Sequence, residues 1–328
     1  MANDKPPQLS NWVLERNRSR LGDPLVSHGR HFCRAAHALC NVQALITNGL
    51  LRMGEQADEP EESFTVEQRR EHRVFRTLLH MVPGLEERLI AGSDDEAVVV
   101  AELIQKGVAS ARSDDTKSLK GAILDWIVPP GHSFHPPLAR NVKMDRGFHH
   151  KRTGTLLCPT GMDWSDIETK GKLRNGEILI PGDQWPIFLY SNCKFDPEEP
   201  WTGLLRSSIL VSAYKYIFTS PSSVDKVAKA TRSETIIFSP QACFALSSSA
   251  VFSRTDTTTD SERFYNSILD LLEDIDEQQE VEGLLKWWNR QIFPNYSSAQ
   301  RPIAKNSALA KIKEKRALQK AAAGSNDL

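Results

Sequence analysis

The chain has 328 residues, of which 40% are hydrophobic and 25% charged, and a formal net charge of -1, figures that exclude a disordered or fibrous protein and fit an ordinary globular one. No run approaches the ~18 apolar residues of a membrane span, and the opening Met1-Ala2-Asn3-Asp4-Lys5-Pro6-Pro7 lacks the apolar stretch of a secretory signal. Five cysteines without regular spacing argue against a disulfide framework, so reduced thiols are expected, in an intracellular protein of the nucleus or cytoplasm with no membrane contact.

Residues 1–22 read as a flexible arm, basic at Arg16, Arg18 and Arg20 and anchored only by Trp12, Val13 and Leu14. A helical region follows over 23–128. Phe32, Leu39, Ile46 and Leu50 recur at helical spacing from Ser27 to Met53, with Cys33, His37, Cys40, Ala44 and Leu51 on the adjacent stripe, which predicts one deeply buried helix. The acidic run Glu55 to Glu62, broken by Pro60, is a surface loop. Thr65-Val66-Glu67-Gln68 is a capping box for a helix with Val74, Phe75, Leu78, Leu79 and Val82 inward, stopped by Pro83-Gly84. Ser93-Asp94-Asp95-Glu96 opens another over Ala97 to Ala111, and a shorter one from Thr116 to Ile127 ends at Pro129-Pro130.

Between 129 and 152 the composition turns to Pro, Gly and His, the mark of a linker or functional loop. A main α+β domain is predicted over 153–294. Thr155 to Cys158, Glu177 to Ile180 and Trp185 to Tyr190 predict short strands of a small sheet, with a helix capped by Ser165-Asp166-Ile167-Glu168, running to Arg174, and its left-handed stop Asn175-Gly176 between the first two. A long apolar helix is expected from Trp201 to Phe218, with the acids Asp196, Glu198 and Glu199 at its start. Further helices are expected at Ala242 to Leu246, after the capping box Thr259-Asp260-Ser261-Glu262, and from Asp276 to Ile292. Residues 295–328 read as a basic, disordered tail. The predicted fold is thus mainly α, multi-helical with a small two- or three-stranded β element in the middle, and the aromatic stretch Gln184 to Pro221 is its buried core.

Four strings carry a family resemblance: Gly182-Asp183-Gln184-Trp185-Pro186 with Phe188-Leu189-Tyr190; Pro200-Trp201 with Gly203-Leu204-Leu205-Arg206-Ser207; Ile217-Phe218-Thr219-Ser220-Pro221-Ser222-Ser223; and Phe252-Ser253-Arg254-Thr255-Asp256. Over about Leu21 to Pro294 the chain resembles a family of uncharacterised proteins from mushroom-forming basidiomycete fungi. That family has no assigned activity, so the resemblance implies no catalytic residues. It does imply a longer segment between Ser233 and Phe244 than the one found here, which puts the packing of Phe238 and Phe244 in question.

The residues offering most chemistry are His132, His135, His149 and His150, with Asp145 among them. Imidazole and carboxylate are common donors to a divalent metal, and such a centre would make the protein a metal-dependent hydrolase. Against this, Pro/Gly loops fix few side chains, and histidines stacked on Phe134 and Phe148 would look the same in sequence. Gly131-His132-Ser133-Phe134-His135 imitates a nucleophile elbow but has His where the strained turn needs Gly, and Pro129-Pro130 where a strand should enter. Cys33, His37 and Cys40 share a helical face and offer three zinc donors, yet core filling suits such small, soft residues better. Asp256 to Asp260 fits helix capping more closely than a cation site. Asp163, Asp166 and Glu168 fit a nuclease core poorly, since they lie on a helix start.

In the tail Lys311, Lys313, Lys315, Arg316 and Lys320 could contact nucleic-acid phosphates, although no aromatic beyond Tyr296 is present to stack bases. Glycine-rich phosphate loops, dinucleotide fingerprints and paired Cys-x-x-Cys motifs do not occur, and no cofactor is expected. The leading expectation is therefore a non-enzymatic intracellular interaction protein with a protein partner, nucleic acid being the second candidate. The alternative is the hydrolase built on the histidine loop.

Overall fold

Asp94 to Ile127 forms one helix of 34 residues, about 50 Å long at 1.5 Å per residue, and two hydrophobic cores are built on its two halves. The computed structural model describes residues 23–129, 131–218, 238–252 and 260–293, with 307, 308, 310–312, 315 and 316 beyond them. In chain order the helices are α1 (Pro24–Ala35), α2 (Val42–Met53), α3 (Val66–Met81), α4 (Leu85–Ala91), α5 (Asp94–Ile127), α6 (Lys151–Leu157), α7 (Ile167–Asn175), α8 (Ser208–Phe218), α9 (Phe238–Leu246), α10 (Ser261–Glu273) and α11 (Gln278–Ile292). None of them is long and apolar enough to cross a membrane.

The first half of α5 gives Val100, Ile104, Val108 and Ala111 to a core shared with Phe32, Leu45, Phe75, Leu78 and Leu85 of α1 to α4. Its second half gives Leu119, Ile123 and Ile127 to a larger core with Leu156, Leu210, Tyr214, Phe238, Tyr265 and Trp288. Local signals at 113–116 predict a break, since Ser, Asp, Asp and Thr favour caps. The helix runs on because α1 occupies those side chains: Arg30 pairs with Asp114 at 2.8 Å, and the Arg34 guanidinium grips both oxygens of Asp115. The Thr116 hydroxyl is turned back to donate to the Arg112 carbonyl at 2.7 Å.

The single helix predicted over Ser27 to Met53 is two. Asn41 caps α2 by accepting from the amides of Gln43 and Ala44, and the preceding turn sends Ala38 and Leu39 into the second core while Phe32, Cys33 and Val42 stay in the first. A second tie joins the two halves of the fold: Arg70 of α3, nearly buried, donates to Asp270 at 2.6 Å and Glu273 at 2.8 Å on α10. Thr65 and Ser93 cap where the sequence places them, and the caps expected from the boxes at Ser165 and Thr259 fall one residue later. Thr65 and Gln68 form a reciprocal capping box, Ser93 accepts from Glu96, Asp166 from Thr169 and Asp260 from Arg263, and Gly176 ends α7 at φ 73°. Residues 253–259, with Asp256, lie outside the described residues.

The expected β element is not there, and the described residues hold no strand. Thr155 to Leu157 belong to α6, where the Thr155 hydroxyl donates to the Lys151 carbonyl. Trp185 to Tyr190 contains a single helical turn, Ile187–Leu189. What remains of a ladder is an isolated bridge between Pro159 and Pro186, and another between Tyr190 and Leu204. The first bridge rests on the Thr160 amide donating to the Trp185 carbonyl and the Ile187 amide to that of Cys158, and it does not grow because the Cys158 amide is spent on the Gly154 carbonyl and that of Leu189 on Pro186.

The expected Trp201 helix starts only at Ser208. Gly203 at φ 80° and Leu205 at φ 53° hold the preceding residues in turns, so the acids at 196–199 do not stand at a helix start. The aromatic middle is nevertheless core: Tyr214 packs on Phe218, Phe238 and Trp288 at ring separations of 4.7, 5.8 and 5.7 Å. Phe238, whose packing the short connection put in question, is buried, and Phe244 meets Phe252 edge to face at 5.3 Å.

Candidate functional site

The loop after α5 contains most of the sequence-predicted site residues. His132, His135 and His149 are exposed, and His150 is buried. The His150 ring is fully engaged: Nδ1 accepts from the Arg152 amide at 3.0 Å, capping α6, and Nε2 donates to the Pro136 carbonyl at 3.0 Å. Phe134 stands edge-on to the same ring. Among the described residues no group of three or more His, Cys, Asp or Glu could hold a metal ion, so His132, His135, His149 and His150 are not brought together as a ligand set.

Nor do Cys33, His37 and Cys40 form a site, because the turn after α1 separates them and their polar atoms go to neighbouring backbone. His37 Nδ1 accepts from the Leu39 amide, and the two thiols point at the carbonyls of Ala38 and His37. Burial pushes the Cys33 thiol up to about 11, which leaves it unreactive. Of the tail residues, Lys311, Lys315 and Arg316 are exposed, while Lys313 and Lys320 lie outside the described residues.

Sequence reasoning passed over the two basic residues that hold this loop in place. Arg146 is wholly buried and pairs with no carboxylate among the described residues. Its Nη1 donates to the Lys120 and Ala245 carbonyls at 2.7 and 2.8 Å, and its Nη2 to those of Ala139 and Arg140 at 2.9 and 3.1 Å. One guanidinium thus pins the loop to α5 and to the carboxyl end of α9, where a cation also meets the helix dipole favourably. Lys143, three residues earlier, donates to the Ser249 carbonyl at 2.7 Å and lies 3.2 Å from the centre of the Phe244 ring. Desolvation, then the nearby Arg146, brings the Lys143 ammonium down to about 7. No motif marks Arg146 or Lys143 in the sequence.

The Lys143 shift has a testable consequence. Below about pH 7 the ammonium is charged in folded and unfolded chains alike, whereas between about 7 and its ordinary 10.5 only the unfolded chain holds the proton. The unfolded state then binds more protons, so stability rises with pH across that window, by up to a few kcal/mol for a shift of this size. Urea unfolding at pH 6.5, 8 and 9.5 should show that rise, and Lys143→Met should flatten it.

Three cavities adjoin this region. An apolar one of about 70 Å³, between Phe148, Pro181, Cys243 and Phe264, is too small for a metabolite. Beside it a cleft of about 310 Å³ runs between α7 and Ser247 to Ser249. The third, of about 380 Å³, lies on the second half of α5, where Arg112, Lys117 and Lys120 face Phe244 and Phe252.

The described fold is that of an all-helical protein with two cores on a shared helix, whose charged loop residues serve as fastenings. The chain matches the family model of the family of unknown function DUF6698 over residues 106–293, and it belongs to that family. The match begins within α5 and takes in the second core apart from Ala38 and Leu39. No curated protein and no solved structure matches the chain.

Proposed function

We propose that this member of DUF6698 is a non-enzymatic interaction protein working inside the cell, with another protein as its main partner. Nucleic acid is the second partner class, reached through Lys311, Lys313, Lys315, Arg316 and Lys320 of the tail. The basidiomycete origin implied by the sequence resemblance belongs to the same reading. The observation that supports it most is the engagement of His150: the buried histidine of the loop uses both ring nitrogens on the backbone, so it has no lone pair for a metal or a reacting proton.

Metal analysis of the purified full chain tests this against the hydrolase. The expected result is no stoichiometric metal, and metal retained at one per chain but lost in a His132→Ala/His135→Ala variant would overturn the reading. For the second partner class, retention on double-stranded DNA at low salt should disappear when residues after 295 are removed, with a steep dependence on salt. Retention that survives the deletion would place the contact elsewhere.

A further inference from the structure

We propose that the cavity on the second half of α5 is a binding site for a mononucleotide, its phosphates held by Arg112, Lys117 and Lys120 and its ring resting against Phe244 and Phe252. The site lies apart from the tail and goes beyond the reading above. Its volume of about 380 Å³ falls within the range of small-ligand pockets. Three cations from one helix converge on it. The acids of the same stretch are spent elsewhere, Asp114 on Arg30, Asp115 on Arg34 and Asp125 on Arg140, so no carboxylate among the described residues neutralises the three. The Arg112 Nη1 is buried and finds no hydrogen-bond partner among the described residues, a costly state for a guanidinium unless an anion completes it.

The opposite wall is aromatic. Phe244 and Phe252 stand edge to face at 5.3 Å, and the Arg112 guanidinium lies 6.0 Å from the Phe252 ring centre. Lys143 covers one face of Phe244 from behind that wall. A phosphate at the cations therefore has an apolar surface within a nucleotide's length, the pairing of charge and π-face by which proteins hold nucleotides.

Calorimetric titration of the full chain with ATP, inorganic pyrophosphate and adenosine tests the site. ATP should bind, pyrophosphate more weakly and adenosine weakest. Lys117→Glu with Lys120→Glu should weaken ATP by about tenfold or more without lowering the melting temperature, since neither ammonium has an ion-pair partner among the described residues. Lys117→Gln with Lys120→Gln serves as the milder pair should the first unfold. Absence of ATP binding, or equal ATP affinity in wild type and a folded variant, would overturn the proposal. Pyrophosphate binding as tightly as ATP would likewise overturn the aromatic half of the site. Both variants keep every basic residue of the tail, so loss of the pocket and loss of tail-borne DNA retention are separate results.

Discussion

Arg146→Ala is expected to destabilise the protein by about 3–5 kcal/mol, near the upper end for a single substitution. The guanidinium has no solvent exposure, and its four carbonyl acceptors come from α5, the end of α9 and the loop between. Truncation leaves the buried Ala245 carbonyl with less to accept, at about 1–3 kcal/mol, while those of Ala139 and Arg140, on exposed residues, can turn to water, and it opens a void in a packed region. The return is that no buried charge remains to be desolvated, and burial already holds the Arg146 pKa below its ordinary value.

Arg146→Met separates these effects because it restores volume without donors. Urea unfolding followed by tryptophan fluorescence should rank wild type above Arg146→Lys, then Met, then Ala. Lys comes second because an ammonium keeps the charge but cannot span acceptors on both sides of a planar fork. If Arg146→Met proved as stable as wild type, desolvation would be cancelling the bonds, and the loop would be held by packing alone.

What the sequence made legible was local. The caps at Thr65 and Ser93 depend on residues within one turn and could be placed by pattern, and those at Asp166 and Asp260 to within one residue. The continuity of α5 through 113–116 could not, because the groups that hold Asp114 and Asp115 there lie 84 and 81 residues away on α1. That one long-range effect also hid the basic cavity: with the helix split in two, Arg112 stands apart from Lys117 and Lys120, whereas on one helix all three line the same cavity.

The β element failed for the opposite reason. Its short apolar runs satisfy strand propensity, but α6 takes up Thr155 to Leu157 and a helical turn takes up Ile187 to Leu189, so the amides of Cys158 and Leu189 have nothing to give a ladder. At the histidine loop the sequence showed which donors were present and nothing of where they point. His150 is a helix cap, a role pattern reading assigns to Ser, Thr, Asp or Asn and rarely to imidazole.

Backbones of α1 and α5 come into direct contact where Gly29 and Gly107 meet. A Cβ on Gly107 would lie 2.2 Å from the Val26 carbonyl oxygen and 2.9 Å from the Gly29 Cα, and one on Gly29 would lie 2.2 Å from the Ile104 carbonyl oxygen. These are backbone atoms, so no rotamer change relieves the overlap and the helices must separate. Helix propensity works the other way, favouring Ala over Gly by about 1 kcal/mol in a helix interior. Gly121, on the same helix, has nothing within 4 Å of its would-be Cβ and isolates that term.

Gly121→Ala should therefore stabilise by roughly 0.5–1 kcal/mol, while Gly107→Ala should cost a net 2–3 kcal/mol, the overpacking penalty exceeding the propensity gain. Separation at Gly107 also draws Arg30 and Arg34 away from Asp114 and Asp115, the contacts that keep α5 unbroken. Hydrogen exchange in Gly107→Ala should accordingly rise over α1 and around residues 112–116, leaving the amides of α10 and α11 protected. Equal stabilisation by both alanines would mean that α1 does not ride directly on α5, and the account of the uninterrupted helix would fall with it.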